Sequence, residues 1–80
     1  MQQYLELDLL RLKETLQRLL GREGNMEDDE DIYEAGLTSI MVLPLLSEIE
    51  DTFGVSVLDA DFLDSRTPRA LAQMIQRLRG

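Results

Sequence analysis

Leucines recur along the first twenty residues at the spacing that places them on one face of a helix. Steps of four and three residues separate the members of this stripe, which are Leu5, Leu9, Leu12, Leu16 and Leu19. That spacing is typical of an amphipathic helix, and it predicts a helix from Tyr4 to Leu20 that ends at Gly21. The stripe spans barely two heptads, fewer than the roughly three to four that indicate a coiled coil, so we expect it to pack inside the chain's own core.

Two further stretches predict long helices. The segment from Ser39 to Phe53 follows the helical period, and Gly54 ends it. Thr67 as N-cap and Pro68 at the first helical position begin the last helix. Its buried stripe is expected to be Leu71, Met74, Ile75 and Leu78.

The remaining segments predict one short helix and no sheet. Residues 59–63 form a short helical turn, whereas residues 55–58 have strand propensity but no second strand to pair with, so we expect extended loop there. The predicted fold class is therefore all-α: a single domain over residues 1–80, built as a small bundle of three main helices plus one short helix.

Pro44 conflicts with the helix in which it stands. It has no N–H, and its ring clashes with the carbonyl of Ile40. We therefore expect either a loose, 3₁₀-like first turn or a kink that turns Met41 outward. The residues of this helix that follow the helical period are Ile40, Leu43, Leu46, Ile49, Glu50 and Phe53.

An acidic loop joins the first two helices. Ile32 and Tyr33 interrupt its polar sequence, and such an apolar pair is expected to hold the loop against the core. The run Glu27–Asp31 is rich in carboxylates but lacks the spacing and the sixth-position glycine of a calcium-binding EF-hand loop. A specific metal site is therefore not expected.

The chain of 80 residues contains neither cysteine nor histidine. It can form no disulfide and no thiolate site, and it has no side chain that titrates near neutral pH at its ordinary pKa. Catalysis by the chain alone is therefore not expected, and we classify it as not an enzyme.

The composition also limits location and partners. No apolar run approaches the roughly 20 residues of a membrane span, and the residues after Met1 do not resemble a signal peptide, so a cytoplasmic location without a membrane span is expected. The net charge of -8 argues against nucleic acid as a partner, because phosphate contacts need clustered Lys and Arg.

Charge is distributed unevenly along the chain. No Lys or Arg lies between Arg22 and Arg66, and 13 of the 16 acids lie there. This middle segment could project an acidic face that steers basic partners, or it could form an ordinary solvated surface.

The segment Gly36-Leu37-Thr38-Ser39-Ile40 leads from the loop into the second helix. Ser and Thr are favoured N-caps, so a simple helix start is one interpretation. The other is a modification site: Leu37 and Ile40 would anchor the segment on either side, and a phosphate ester on Ser39 would lie where the helix N-terminus stabilises anions.

With these residues in view, the chain resembles the acyl and peptidyl carrier protein family over nearly its whole length. The matching segments are Asp31 to Ile40, then Leu43, Leu46, Ile49-Glu50-Asp51, Phe53-Gly54-Val55, Asp61-Phe62 and Thr67 to Ala72. In that family the motif is usually Gly-x-Asp-Ser followed by Leu or Met.

The resemblance implies that Ser39 carries 4′-phosphopantetheine, whose thiol holds acyl or aminoacyl groups as thioesters. It also implies the partners: a phosphopantetheinyl transferase, an acyl- or aminoacyl-loading ligase, and downstream condensing or transferring enzymes. The nucleophile that the sequence lacks would thus be supplied by the cofactor. We expect a free-standing monomer.

Departures from the family pattern bear on the pathway and on recognition. Thr38 stands where the family most often has Asp, and Met41 and Pro44 stand where fatty-acid carriers are frequently acidic. Thr38, Ile40, Met41 and Pro44 would then give a more apolar recognition surface beside the arm, with Glu48 and Asp51 as acids further along. This pattern favours specialised biosynthesis, meaning non-ribosomal peptide, polyketide or aminoacyl carriers. The alternatives are a carrier of fatty-acid synthesis and a small helical adaptor that binds a basic partner without a cofactor.

Overall fold

The computed structural model describes residues 2–80, with side chains from Leu5 onward. Met1, the first residue of the segment compared with a signal peptide, lies outside the described residues. Four helices follow in the order α1 (Gln2–Leu20), α2 (Ser39–Phe53), α3 (Asp59–Leu63) and α4 (Pro68–Arg79). No strand occurs in residues 2–80. The predicted all-α fold with three main helices and one short helix is confirmed.

The core lies between α1, α4 and the inner side of α2. Leu12 and Leu16 of α1 have no exposed surface, and the other leucines of the predicted stripe are buried or half-buried against the same core. On α4, the stripe is confirmed for its first three members, which are Leu71, Met74 and Ile75, each fully buried. Leu78 is exposed, with 36% of its surface accessible, so its predicted burial is wrong; it lies one residue before the last residue of α4.

The helix ends follow the capping chemistry of the sequence. The hydroxyl of Thr67 accepts a hydrogen bond from the N–H of Ala70 at 3.1 Å, and Pro68 occupies the first turn of α4. Gly54 ends α2 in the left-handed conformation, with φ 67°, and its N–H donates to the carbonyl of Glu50 at 2.9 Å. Residues 55–58, which follow, form neither helix nor strand, and the N–H of Val57 donates to the Glu50 carboxylate at 2.9 Å, which ties them to α2.

The residues of α2 predicted to share the helical period face the core only in part. Leu46, Ile49 and Phe53 are buried, together with Leu45. Ile40 and Leu43, in contrast, expose 85% and 75% of their surface. The reason is that residues 40–46 are all apolar and so surround the helix, whereas the core covers only one side of it.

Pro44 lies inside α2, which runs without interruption from Ser39 to Phe53. The first turn is tightened, because the N–H of Met41 donates to the carbonyl of Thr38 at 3.0 Å, three residues back. Met41 is half-buried and packs against the core. The expectation that a kink would turn Met41 outward is therefore wrong, and the tightened first turn is what the structure shows.

The acidic segment, residues 27–31, is tied to α1 and to the start of α4. Asp28 forms ion pairs with Lys13 at 2.6 Å and with Arg69 at 3.4 Å, and Arg69 also pairs with Asp29 at 2.9 Å. The N–H of Arg69 donates to the carbonyl of Asp28 at 2.9 Å. Further along the loop, the remaining pairs are Arg22–Glu30 and Arg66–Asp31. Ile32 beside them has no exposed surface, as the sequence predicted.

These ion pairs account for part of the uneven charge pattern. Among the described side chains, every ion pair except Asp8–Arg79 joins an acid of the middle segment to a base outside it. Much of the acid in the loop is thus neutralised locally instead of projecting freely. Within the described residues there is also no cluster of ligand-type side chains that could hold a metal ion.

The opposite end of the bundle is held by Arg79. Its guanidinium faces both carboxylate oxygens of Asp8, at 3.1 and 3.3 Å, and lies 5.9 Å from the ring centre of Phe53. Since Asp8 belongs to α1 and Phe53 to α2, one side chain of α4 contacts both neighbouring helices. In residues 2–80 none of the helices has the length and apolar content needed to cross a membrane.

Acid is expected to weaken the ties of the acidic segment. The pKa of Asp28 is lowered chiefly by its hydrogen bond from Lys13, that of Glu30 by its bond from Arg22, and that of Asp31 by the N–H of Glu34. Carboxylates with a lowered folded-state pKa stabilise the fold above their ordinary range near pH 4, and this stability is lost as the pH falls through the lowered values. The melting temperature, followed by circular dichroism, should therefore fall between about pH 4.5 and about pH 2.5.

The variant that combines Asp28→Asn with Asp31→Asn provides the comparison. This variant lacks two of the three carboxylates whose pKa is lowered. Its melting temperature should therefore be lower than that of the parent at pH 7, and it should fall less when the pH is lowered. An equal fall in both proteins would show that other carboxylates cause the acid sensitivity.

Replacing Pro44 by alanine is expected to stabilise the protein. Alanine restores a donor for the carbonyl of Ile40 and removes the ring, and an interior proline costs about 3 kcal/mol relative to alanine. Because the first turn has already adapted, we expect a gain of about 1–3 kcal/mol in the free energy of unfolding, measured by urea denaturation. A less stable Pro44→Ala protein would show that the proline is accommodated at no cost.

Candidate functional site

A closed turn over residues 31–36 delivers the chain to the start of α2. The carboxylate of Asp31 accepts hydrogen bonds from the N–H groups of Tyr33, at 2.8 Å, and Glu34, at 3.1 Å. The turn ends at Gly36, whose φ of 125° is a conformation that favours glycine. The N–H of Leu37 then donates to the carbonyl of Ile32 at 3.0 Å, which closes the turn on a buried residue.

Leu37 and Ile40 flank the two hydroxyl residues but play different parts. Leu37 is buried with 4% of its surface exposed, so the predicted anchor before Ser39 is confirmed. Ile40 projects into solvent with 85% exposed, so the predicted anchor after Ser39 is wrong. Ser39 is consequently held from the loop side, while the helix side presents an apolar surface.

Thr38 and Ser39 are both exposed at the helix start. Thr38 occupies the N-cap position with extended backbone (φ -115°, ψ 166°), but its side chain makes no capping hydrogen bond. The interpretation of this segment as an ordinary hydroxyl-capped helix start thus lacks its usual bond. Ser39 is the first residue of α2, and its hydroxyl is accessible from solvent.

The surroundings of Ser39 suit a phosphodiester. The N–H groups of Ser39 and Ile40 belong to the first turn of α2, where no preceding helical carbonyl can accept them. The positive end of the helix dipole lies at the same place. From Ala35 to Ser47 the sequence contains no charged residue, so no carboxylate of this stretch would repel a phosphate there. The residues present therefore fit 4′-phosphopantetheine on Ser39.

An exposed face of α2 extends away from Ser39. We call it the outer face of α2; its residues recur at helical spacing and are Ile40, Pro44, Ser47 and Asp51, all exposed. Three of the residues proposed from sequence for recognition, Ile40, Pro44 and Asp51, lie on this face. Thr38 lies just before it.

Two other residues proposed for recognition lie elsewhere. Met41 packs against the core. Glu48 is half-buried, and its carboxylate lies 3.3 Å from the guanidinium of Arg18 on α1. Both therefore point toward the α1 side of α2, and the charge of Glu48 is partly compensated.

A groove between α2 and α3 was missed by the sequence analysis. It is open, has a volume of about 220 Å³, and is lined by Val42, Leu43, Leu46, Asp59, Phe62 and Leu63. Leu43 exposes 75% of its surface here and Leu63 exposes 62%. The continuous apolar run 40–46 was the available signal, because a helix that is apolar on all sides must leave some of those residues outside a small core.

Comparison with known protein families independently supports a phosphopantetheine attachment site in this chain. Residues 10–75 match the family described as "Phosphopantetheine attachment site", a range that includes the 31–36 turn, Ser39, α2 and the groove. Among curated proteins, the chain is similar to the "Hybrid PKS-NRPS synthetase TAS1" of the fungus Botryobasidium botryosum, with 33% identity over 70 residues. The aligned region is 88% of this chain but only 4% of that protein. Since the family match extends over most of the bundle, this chain belongs to the phosphopantetheine attachment-site family, whose members carry covalently attached 4′-phosphopantetheine.

Proposed function

We propose that this protein is a carrier that holds acyl or aminoacyl groups on 4′-phosphopantetheine attached to Ser39. The observation that carries the proposal is the exposed Ser39 hydroxyl at the start of α2, supported by the family match around it. When bound, the group supplies a thiol on a flexible arm, and acyl or aminoacyl groups are held there as thioesters. The chain itself contributes a fixed attachment point and a docking surface, and catalysis belongs to its partner enzymes.

The outer face of α2 and the adjoining groove are proposed as the docking surface for those partners. These are a phosphopantetheinyl transferase, a loading ligase, and condensing or transferring enzymes. Ile40, Pro44 and Leu43 offer apolar contact near Ser39, and exposed apolar side chains of this kind are typical of interface centres. Asp51 adds charge at the far end of the face, where it forms no ion pair with the described side chains.

Specialised biosynthesis is the pathway class that we favour. Two observations support it: the apolar outer face near Ser39, and the similarity to a protein described as a hybrid PKS-NRPS synthetase. A carrier of fatty-acid synthesis is the second candidate, since the family match alone does not separate the two. The adaptor without a cofactor is the remaining alternative, and it predicts that the chain is not modified.

Ser39→Ala is expected to abolish modification, because it removes the hydroxyl that would form the phosphodiester bond to phosphopantetheine. Incubation of the parent with coenzyme A, Mg²⁺ and a broad-specificity phosphopantetheinyl transferase should add the mass of one phosphopantetheine group. Intact-mass spectrometry measures this directly, and the Ser39→Ala protein should keep its unmodified mass.

Thr38→Ala is the matched control, since Thr38 is the neighbouring exposed hydroxyl and makes no capping bond. This variant should be modified like the parent. Loss of modification in the Thr38 variant with retention in the Ser39 variant would reverse the assignment. An unmodified parent chain would instead favour the adaptor.

Asp51→Lys is expected to slow association with the transferase and to weaken the salt dependence of the rate. A carboxylate on the docking surface attracts basic partners over about 10 Å at 0.1 M salt, and reversal of its charge turns attraction into repulsion. Glu48→Lys should have a smaller effect, because Arg18 already compensates that charge. Stopped-flow association rates at low and high salt measure both.

Glu6→Lys provides the control of equal charge change. Glu6 is exposed on α1, two residues from Asp8, at the end of the bundle that Arg79 holds. The Glu6→Lys variant should associate with the transferase at the same rate as the parent. If Glu6→Lys and Asp51→Lys slow association equally, then the net charge of the protein sets the association rate, and the outer face of α2 has no special role in it.

A further inference from the structure

Arg66 contacts the 31–36 turn in three ways. Its Nε lies 3.0 Å from the carboxylate of Asp31. Its guanidinium lies 4.6 Å from the ring centre of Tyr33, within the range of a cation–π contact. Its carbonyl accepts the N–H of Ile32 at 2.9 Å. One residue thus contacts three consecutive residues of the turn, through both its side chain and its backbone.

A short series of contacts connects the turn to Ser39. Ile32 accepts the N–H of Leu37 at 3.0 Å, and Leu37 is buried two residues before Ser39. Asp31, whose one oxygen binds Arg66, uses the other to accept the N–H groups of Tyr33 and Glu34. The path from Arg66 to Ser39 therefore consists of hydrogen bonds and one buried side chain.

Arg66 is itself placed by the elements on either side of it. The preceding Ser65 is buried; its N–H donates to the carbonyl of Phe62 at 2.9 Å, and its hydroxyl donates to that of Asp61 at 3.0 Å. The following Thr67 caps α4. Arg66 consequently extends from a backbone segment that is fixed to both α3 and α4.

We propose that Arg66 is a positioning residue for the modification of Ser39: its side chain holds the 31–36 turn in the conformation that presents Ser39 to the transferase. This inference rests on the proposed function of Ser39. Arg66 touches neither Ser39 nor any reacting atom, so its effect is on the fraction of molecules in which the site is correctly placed.

The Arg66 and Asp31 side chains are exposed enough that their ion pair can position the turn without contributing much to the stability of the whole fold. The side chain of Arg66 is 56% exposed and that of Asp31 is 26% exposed, and an ion pair so accessible to water contributes little to the stability of the whole fold. Apart from Arg66, the core holds the turn through the buried Ile32 and the half-buried Tyr33 and Ala35, and Tyr33 is the ring that Arg66 covers. Loss of the Arg66 side chain should therefore loosen the turn while the bundle stays folded.

Arg66→Gln tests the inference in the full chain. A loosened turn lowers the population of the competent conformation, and the apparent affinity falls by that fraction. We expect the KM of the transferase for the variant to rise by about twofold with kcat little changed. In the unmodified protein, amide hydrogen exchange measured by NMR should become about tenfold faster at Tyr33, Glu34 and Leu37.

Arg69→Gln is the matched control. It removes ion pairs with Asp28 and Asp29 at the other end of the acidic segment, and its side chain is 43% exposed. It should leave the KM and the exchange of the 31–36 turn unchanged. Arg66→Lys keeps the charge but lacks the planar guanidinium, and it should restore modification in part.

The outcomes are separable. Faster exchange of the turn with a raised KM only in Arg66→Gln supports the inference. Normal KM in Arg66→Gln, or an equal rise in both glutamine variants, overturns it and leaves the proposed function intact. A parent chain that takes up no phosphopantetheine overturns the proposed function, and this inference with it.

Discussion

Burial of Ile32 and Leu37 is the interaction on which the position of the candidate site depends. The connection over residues 21–38 is long for a small helical domain, and a loop of that length has no fixed course unless it is tied down. These two side chains expose 0% and 4% of their surface. Burying one large aliphatic side chain stabilises a fold by roughly 1.5–3 kcal/mol, more than a half-exposed ion pair does. The apolar anchors therefore hold the loop, and the charged contacts select its course over the surface.

The charged contacts show how an uneven charge pattern can stabilise a short chain. Most bases lie in α1 and α4, which pack together, and most loop acids lie between those helices in sequence. Folding the acidic segment across the paired helices brings opposite charges together without any charged group entering the core. The acids without an ion pair among the described side chains are spread over α1, the loop, α2 and α3, and Asp51 is the one on the outer face of α2. The pairing leaves the net charge at -8, and the unpaired acids supply it.

The exposed apolar residues of α2 are a cost that the fold carries. Ile40 and Leu43 are largely exposed and so add little to stability, and Pro44, next to Leu43, removes a helical hydrogen bond. Contiguous exposed apolar groups beside a groove mark interaction sites in soluble proteins. That these features surround the start of α2, where Ser39 is exposed, agrees with a surface that serves recognition.

Local chemistry in the sequence determined the helices and the motif. The leucine spacing of α1, the Thr67-Pro68 start of α4 and the glycine after Phe53 each act through neighbours within about one helical turn, so they can be recognised without knowing the fold. The same is true of the segment around Ser39, which a family pattern identifies. Only the tertiary structure decided which side of α2 faces the core, that Met41 packs inward while Ile40 does not, and that Glu48 and Asp31 have basic partners. The physical reason is sequence separation: Lys13 and Asp28 are 15 residues apart, Glu48 and Arg18 are 30, and Asp31 and Arg66 are 35, and such contacts exist only after α1, α2 and α4 have packed.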